Sequence, residues 1–102
     1  MSRLAQLQKL AAIQPDDPLV QYGIGLELAN QEQWVEALAA FDQTLKIDPQ
    51  YVAAWFQRAR AQVKLGRKGE AAETLRSGIG HAEARGDRHS ADEMRKLLET
   101  LL

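Results

Sequence analysis

Ile13-Gln14-Pro15-Asp16 returns, 34 positions later, as Ile47-Asp48-Pro49-Gln50. The same offset pairs Gly25 with Ala59, Glu36-Ala37 with Glu70-Ala71, Phe41 with Leu75 and Leu45 with Ile79, each pair alike in size or chemistry. A fixed period of this length marks one supersecondary unit used more than once, because each unit buries its apolar face against the next. Pro15 and Pro49 cannot continue a preceding helix, and Gly66 and Gly86 suit the left-handed residue just past a helix end.

Between these breaks every segment reads at helical period. Leu4, Leu7, Leu10 and Ala11 form one stripe, and Val20, Ile24 and Leu28 a second. Ala37, Leu38, Phe41 and Leu45 form a third, and Trp55, Ala59 and Val63 a fourth. Ala71, Ala72, Leu75 and Ile79 make the fifth; Ala91, Met94, Leu97, Leu98 and Leu101 make the sixth. No strand alternation competes, so the fold class is all-α, with about six helices near 2-14, 17-30, 34-47, 51-65, 69-85 and 88-102. The links are short, which makes sequential helices antiparallel neighbours. For the last helix Ser90 with Glu93 can form a capping box, and Asp87 is a rival cap. Asp16-Asp17 and Asp92-Glu93 are read as carboxylates at helix starts, where the dipole favours them.

At 102 residues with 45% hydrophobic content the chain is the size of one domain with its own core. It has no cysteine, so a disulfide framework and a thiolate metal site are both excluded. The leucines at the start are interrupted by polar residues, unlike the apolar centre of a signal peptide, and no apolar run reaches membrane-spanning length. The expected location is cytoplasmic. A net charge of -1 hides an uneven distribution. Residues 16 to 48 carry seven acids and one base, Lys46, whereas Arg58, Arg60, Lys64, Arg67 and Lys68 form an acid-free segment.

The residues resemble the tetratricopeptide repeat family, whose unit of two antiparallel helices carries Trp-x-x-Leu-Gly-x-x-Tyr, then Ala-x-x-x-Phe, then Pro. One unit here is Gln21-x-x-Ile24-Gly25-x-x-Leu28, Ala37-x-x-x-Phe41 and Pro49; the next is Trp55-x-x-Arg58-Ala59-x-x-Gln62 and Ala71-x-x-x-Leu75. The resemblance implies an α-solenoid of two units with a flanking helix at each end. Its divisions are an N-terminal packing helix over 1-15, repeat 1 over 18-51, repeat 2 over 52-86 and a capping helix over 87-102, in a single domain over 1-102. Small side chains at Gly25, Ala37 and Ala71 allow the close helix crossing that this geometry requires. Gln21, Arg58 and Gln62 depart from the apolar residues of the pattern. Glu83 stands where a proline would close the second unit, which lets the fifth helix run on to Gly86.

The resemblance also implies a concave groove lined by the first helix of each unit, the family's usual peptide-binding surface. The candidate groove residues are Tyr22, Leu26 and Asn30 from one unit and Phe56, Gln57, Arg60 and Lys64 from the next. The spacing of four residues puts Tyr22, Leu26 and Asn30 on one face, and likewise Phe56, Arg60 and Lys64, with Gln57 next to Phe56. Aromatic anchors beside cationic donors suit an extended or helical segment carrying an acidic group. A plainer reading has Tyr22 and Phe56 stacking on each other and Arg60 and Lys64 solvated. The Lys/Asn carboxylate clamp of the best-known peptide-binding members is not reproduced at Tyr22, Leu26 and Phe56.

The remaining motifs carry less. Gly23-Ile24-Gly25 follows no strand and lacks the third glycine of a dinucleotide loop. Gly78 and Gly80 weaken the fifth helix, and close packing against the last helix is the expected reason. His81 and His89 have no ligand partners at metal spacing, and His89-Ser90 with Asp92 cannot line up as a catalytic triad from adjacent helical positions. No catalytic residue, cofactor or metal is therefore expected, and neither nucleic acid nor membrane as a partner; five basic residues in a near-neutral chain are a weak footprint for nucleic acid. The expected function is a protein-interaction module that binds a peptide of a cytoplasmic partner. The first alternative is a structural protein that forms a homo-oligomer through its acidic and basic surfaces. An enzyme with an unrecognised site is the remote one.

Overall fold

A computed structural model describes residues 2–102, and the described residues form six helices: α1 (Arg3–Ile13), α2 (Pro18–Asn30), α3 (Trp34–Ile47), α4 (Val52–Lys64), α5 (Lys68–Ala84) and α6 (Arg88–Leu101). Each begins and ends close to its sequence-based range. Consecutive helices pack on one another, and α4 also touches α2 and α6, so α2, α4 and α6 make an inner layer. Helices α1, α3 and α5 touch only their sequence neighbours and make the outer layer. The resulting all-α stack has extents of 40 × 29 × 18 Å.

Local chemistry explains the breaks. Ser2 accepts a hydrogen bond from the Ala5 amide, Asp17 accepts one from the Leu19 amide, and Pro18 opens α2 where its missing N–H costs nothing. Three turns repeat one device: Gln33, Arg67 and Asp87 donate their amides to the carbonyls of Leu28, Gln62 and Ala82, the long-range bond of a Schellman ending. The residue before each donor is left-handed. Gly66 and Gly86 take φ of 77° and 72°, while the first turn puts Glu32 at φ 57°. Glu32 precedes Gly66 by one repeat period, so a side chain tolerates a conformation that glycine adopts at the next occurrence.

Asp87, not Ser90, caps α6. Its carboxylate accepts from the Ser90 amide at 3.1 Å and from the Ser90 hydroxyl at 2.7 Å. These bonds hold it below the usual carboxylate range. Ser90 is therefore inside the helix, and Asp92-Glu93 lie beyond its first turn. Asp92 instead accepts from Arg95 at 3.1 Å, and Arg95 also pairs with Glu83.

The core is a run of close helix crossings. Ala37, Phe41, Ala59, Ala71, Leu75 and Met94 are fully buried, alternating small and large as interdigitating layers require. A Cβ on Gly25 would fall 2.6 Å from Phe41 Cδ1, and one on Gly78 would fall 2.6 Å from both Met94 Sδ and Trp55 Cβ. Gly78 thus packs against α6 as expected, with α4 on its other side; Gly80 has open space around it and does not. Leu10, expected in the first stripe, is 44% exposed, and α1 rests on α2 through Leu4, Leu7 and Ala11.

The departures from the family pattern are accommodated unequally. Arg58 donates to Asp42 at 2.5 Å and to Thr74 at 3.1 Å, tying α4 to α3 and α5. Gln62 is only 3% exposed and its Oε1 has no hydrogen-bond partner among the described residues. Such a burial costs about 1–3 kcal/mol relative to a satisfied acceptor. With Glu83 in place of proline, α5 extends to Ala84 and spans 17 residues, against 14 for α3.

Candidate functional site

The inner layer brings Tyr22, Phe56 and Gln57 together around a recess of about 220 Å³, which Val52 also lines. Ser90 and Glu93 of α6 complete it. Tyr22 and Phe56 are half-buried. The Tyr22 ring does not stack on Phe56 as the plainer reading has it. Its centroid lies 5.8 Å from that of Phe41 and 5.0 Å from that of Tyr51, both rings tilted. Aromatic pairs favour such tilted geometry, and the two contacts fix the edge of the recess.

Gln57 links the recess to the basic residue beside it, since Arg60 donates to Gln57 Oε1 at 3.0 Å. Leu26 is half-buried and Asn30 exposed, one and two turns beyond Tyr22. Lys64 is drawn away from Arg60, because its ammonium sits 5.8 Å from the Trp34 ring centre. That is a cation–π contact with the first residue of α3. The acid-free segment is consequently not one continuous basic patch. Arg58 is held by Asp42 and Thr74, Lys64 by Trp34, Arg67 lies 3.9 Å from Glu70 and Lys68 is exposed at the start of α5, leaving Arg60 on the inner face with a neutral partner.

Burial pushes the Tyr22 phenol above its ordinary pKa of 10.0, and Tyr51 adds to the rise, while the Gln57 side chain and Arg60 pull it down. Burial likewise raises Tyr51, with Asp17 and Asp48 adding to it. A phenol that ionises later in the folded state contributes stability in full below the unfolded value; that contribution is lost as pH rises through the folded one. Urea unfolding midpoints should therefore drop between neutrality and pH values above 10.0 more steeply for the natural chain than for a Tyr22→Phe, Tyr51→Phe variant. Equal slopes would show that these rings are as solvated folded as unfolded.

Each of the two histidines contacts a side chain of the same chain. His81 stacks on Trp55 at 5.1 Å and 14°, with Nδ1 3.3 Å from Gln50 Oε1. His89 Nε2 lies 2.9 Å from Glu93 Oε1 at the rim of the recess. A second recess of about 490 Å³ lies where α5 turns into α6, between Glu83, Arg88 and Arg95, and its Arg95 is already engaged by Glu83 and Asp92.

Ser90, Glu93 and Trp34 fall outside the residues expected from sequence. Ser90 was legible: Tyr22, Phe56 and Ser90 are spaced one repeat period apart, so the period runs on into α6, and all three line the recess. Glu93 follows Ser90 by three positions on the same helical face. Treating α6 purely as a cap hid that continuation.

Comparison with known proteins agrees with the architecture. The chain superposes on the solution structure of a protein from Bordetella parapertussis with a TM-score of 0.87 at 27% identity, covering 99% of this chain and 88% of that one. It superposes on the TPR2B domain of yeast Sti1, solved in a complex with pHsp70, with a TM-score of 0.91, covering 96% and 78%; at 22% identity that likeness is one of fold. Among curated proteins it is 32% identical over 75 residues to the peroxisomal targeting signal receptor of Candida albicans and 31% identical over 75 residues to that of Eremothecium gossypii. Each match covers 74% of this chain and 13% of the receptor, so the chain spans about one eighth of those relatives' length. The tetratricopeptide repeat family model matches residues 24–99, and with six antiparallel helices in two layers the chain belongs to the tetratricopeptide repeat family.

Proposed function

We propose that the inner face of α2, α4 and α6 holds a peptide segment of a cytoplasmic partner protein. Membership of the tetratricopeptide repeat family, whose members are typically protein-interaction modules, supports this reading. The observation that carries the reading is the recess between Tyr22 and Phe56 with Arg60 beside it: half-buried aromatic surface next to a cation that has only a neutral partner. An acidic group on the peptide meets Arg60, whose guanidinium keeps donors beyond the one given to Gln57. The named relatives are receptors for a targeting signal, which supports a peptide as the ligand class. No described helix is long and apolar enough to cross a membrane.

Self-association through opposite charges is the weaker reading, because Arg58, Lys64 and Arg67 are already engaged within the chain. The test is capture of partner protein from cell lysate on the immobilised chain. A Phe56→Ala, Arg60→Gln variant should lose the partner while keeping its helical circular dichroism. A variant that still captures it would place binding elsewhere.

A further inference from the structure

This inference rests on the reading of the inner face as a peptide groove and concerns which residue of the peptide enters the recess. Although Arg60 stands beside it, the α6 wall of the recess is lined with acceptors. Glu93, with its side chain 48% exposed, puts a carboxylate on the α6 wall. Only Oε1 of that carboxylate is taken, by His89, which is itself 85% exposed and so approaches from the solvent side. Ser90 gives its hydroxyl proton to Asp87 at 2.7 Å. Its oxygen lone pairs are left for a donor coming from the recess. The opposite side is mostly hydrocarbon and aromatic, from Val52, Ala53, Phe56 and Tyr22, with Gln57, whose Oε1 already accepts from Arg60, as its one polar amide. At about 220 Å³ the space matches one side chain. It falls below the range of about 300–1,000 Å³ that suits drug-sized ligands.

An apolar sleeve ending in a carboxylate fits a long side chain with a cationic tip. We propose that the recess takes a lysine or arginine of the bound peptide, its methylene stem against Phe56 and Tyr22 and its charge on Glu93. The groove is then bipolar: the basic residue of the ligand enters at α6, and an acidic residue meets Arg60 on α4. A ligand acid placed in the recess would face Glu93, so the two walls fix the direction in which the peptide lies as well as its composition.

The experiment is a positional-scanning array of synthetic peptides with blocked termini, probed with the full chain. The natural chain should retain peptides with lysine or arginine at one position about tenfold above the same peptides with glutamine there. Glu93→Gln should erase that preference, and Glu93→Lys should turn it toward aspartate and glutamate. Both changes are at a half-exposed position and leave the core intact. His89→Gln should leave the preference in place, which separates the effect of the carboxylate from that of its contact with His89. Retention without a basic preference, or a preference that survives Glu93→Gln, overturns this inference and leaves the groove standing. An array with no retained peptide, or retention indifferent to Phe56→Ala and Arg60→Gln, overturns both.

Discussion

Replacing Phe41 with alanine is expected to destabilise the protein by about 3–5 kcal/mol, a large part of the roughly 5–15 kcal/mol available to a domain of this size. Phe41 is fully buried, packs on Tyr22, and presses against Gly25, which has no side chain to hold it off. The second half of the prediction concerns that contact. A methyl at position 25 would overlap the Phe41 ring, lying 2.6 Å from Cδ1 and nearer still to Cε1, so α2 would have to move off α3. Gly25→Ala alone should therefore cost about 1–3 kcal/mol. In a Phe41→Leu background the same methyl meets a smaller neighbour, so the two changes together should cost less than their sum by about 0.5–3 kcal/mol. Urea unfolding followed by helical circular dichroism measures all four corners of the cycle. Simple additivity would mean that the small-against-large crossing is not what sets the spacing of α2 and α3.

The Phe56→Ala, Arg60→Gln variant is expected to weaken peptide binding by about two to three orders of magnitude. An aromatic anchor and an arginine are the residue types that most often cost about 2 kcal/mol or more each when truncated at an interface, and here they are one helical turn apart. The two losses differ in kind. Removing the Phe56 ring opens a wall of the recess and also takes packing from the core that includes Val52 and Leu75, so some loss of stability accompanies it. Arg60 is exposed and donates to Gln57. Arg60→Gln thus removes charge with the fold intact and should alone account for about tenfold. Its share should shrink as salt is raised, because the charge is near solvent. Isothermal titration with a retained peptide at low and high salt reads both effects. An unchanged affinity in the Arg60→Gln variant would remove the acidic residue from the description of the ligand.

Most of the architecture could be read from the sequence because the signals for it are local. Proline at 15 and 49, glycine at 66 and 86 and the apolar stripes each act within one or two turns of chain, and the helices end where these residues require. What could not be read depends on which side chains meet across helices. The acid-free segment looked continuous along the chain, yet Arg58 points to Asp42 on one outer helix and Lys64 to Trp34, contacts set by helix rotation in the stack. The same is true of Tyr22, whose ring finds Phe41 and Tyr51, where the repeat period alone pairs it with Phe56. The cap of α6 was a contest between Asp87 and Ser90 that only geometry decides, and Asp87 holds both the amide and the hydroxyl of its rival. The recess was half visible: the first two inner helices contribute the expected Tyr22, Phe56 and Gln57, and α6 supplies the carboxylate that gives it polarity.

The most direct measurement of the central claim is the map of backbone amide shifts in a nitrogen-15-labelled sample as a retained peptide is added. The account predicts that the shifts concentrate on the inner layer, around Tyr22, Phe56, Gln57, Arg60 and Glu93, and leave the exposed outer positions of α3 and α5, such as Gln43 and Arg76, unmoved. Shifts centred on α3 and α5, or on the exposed side of α1 at Leu10 and Ile13, would contradict it.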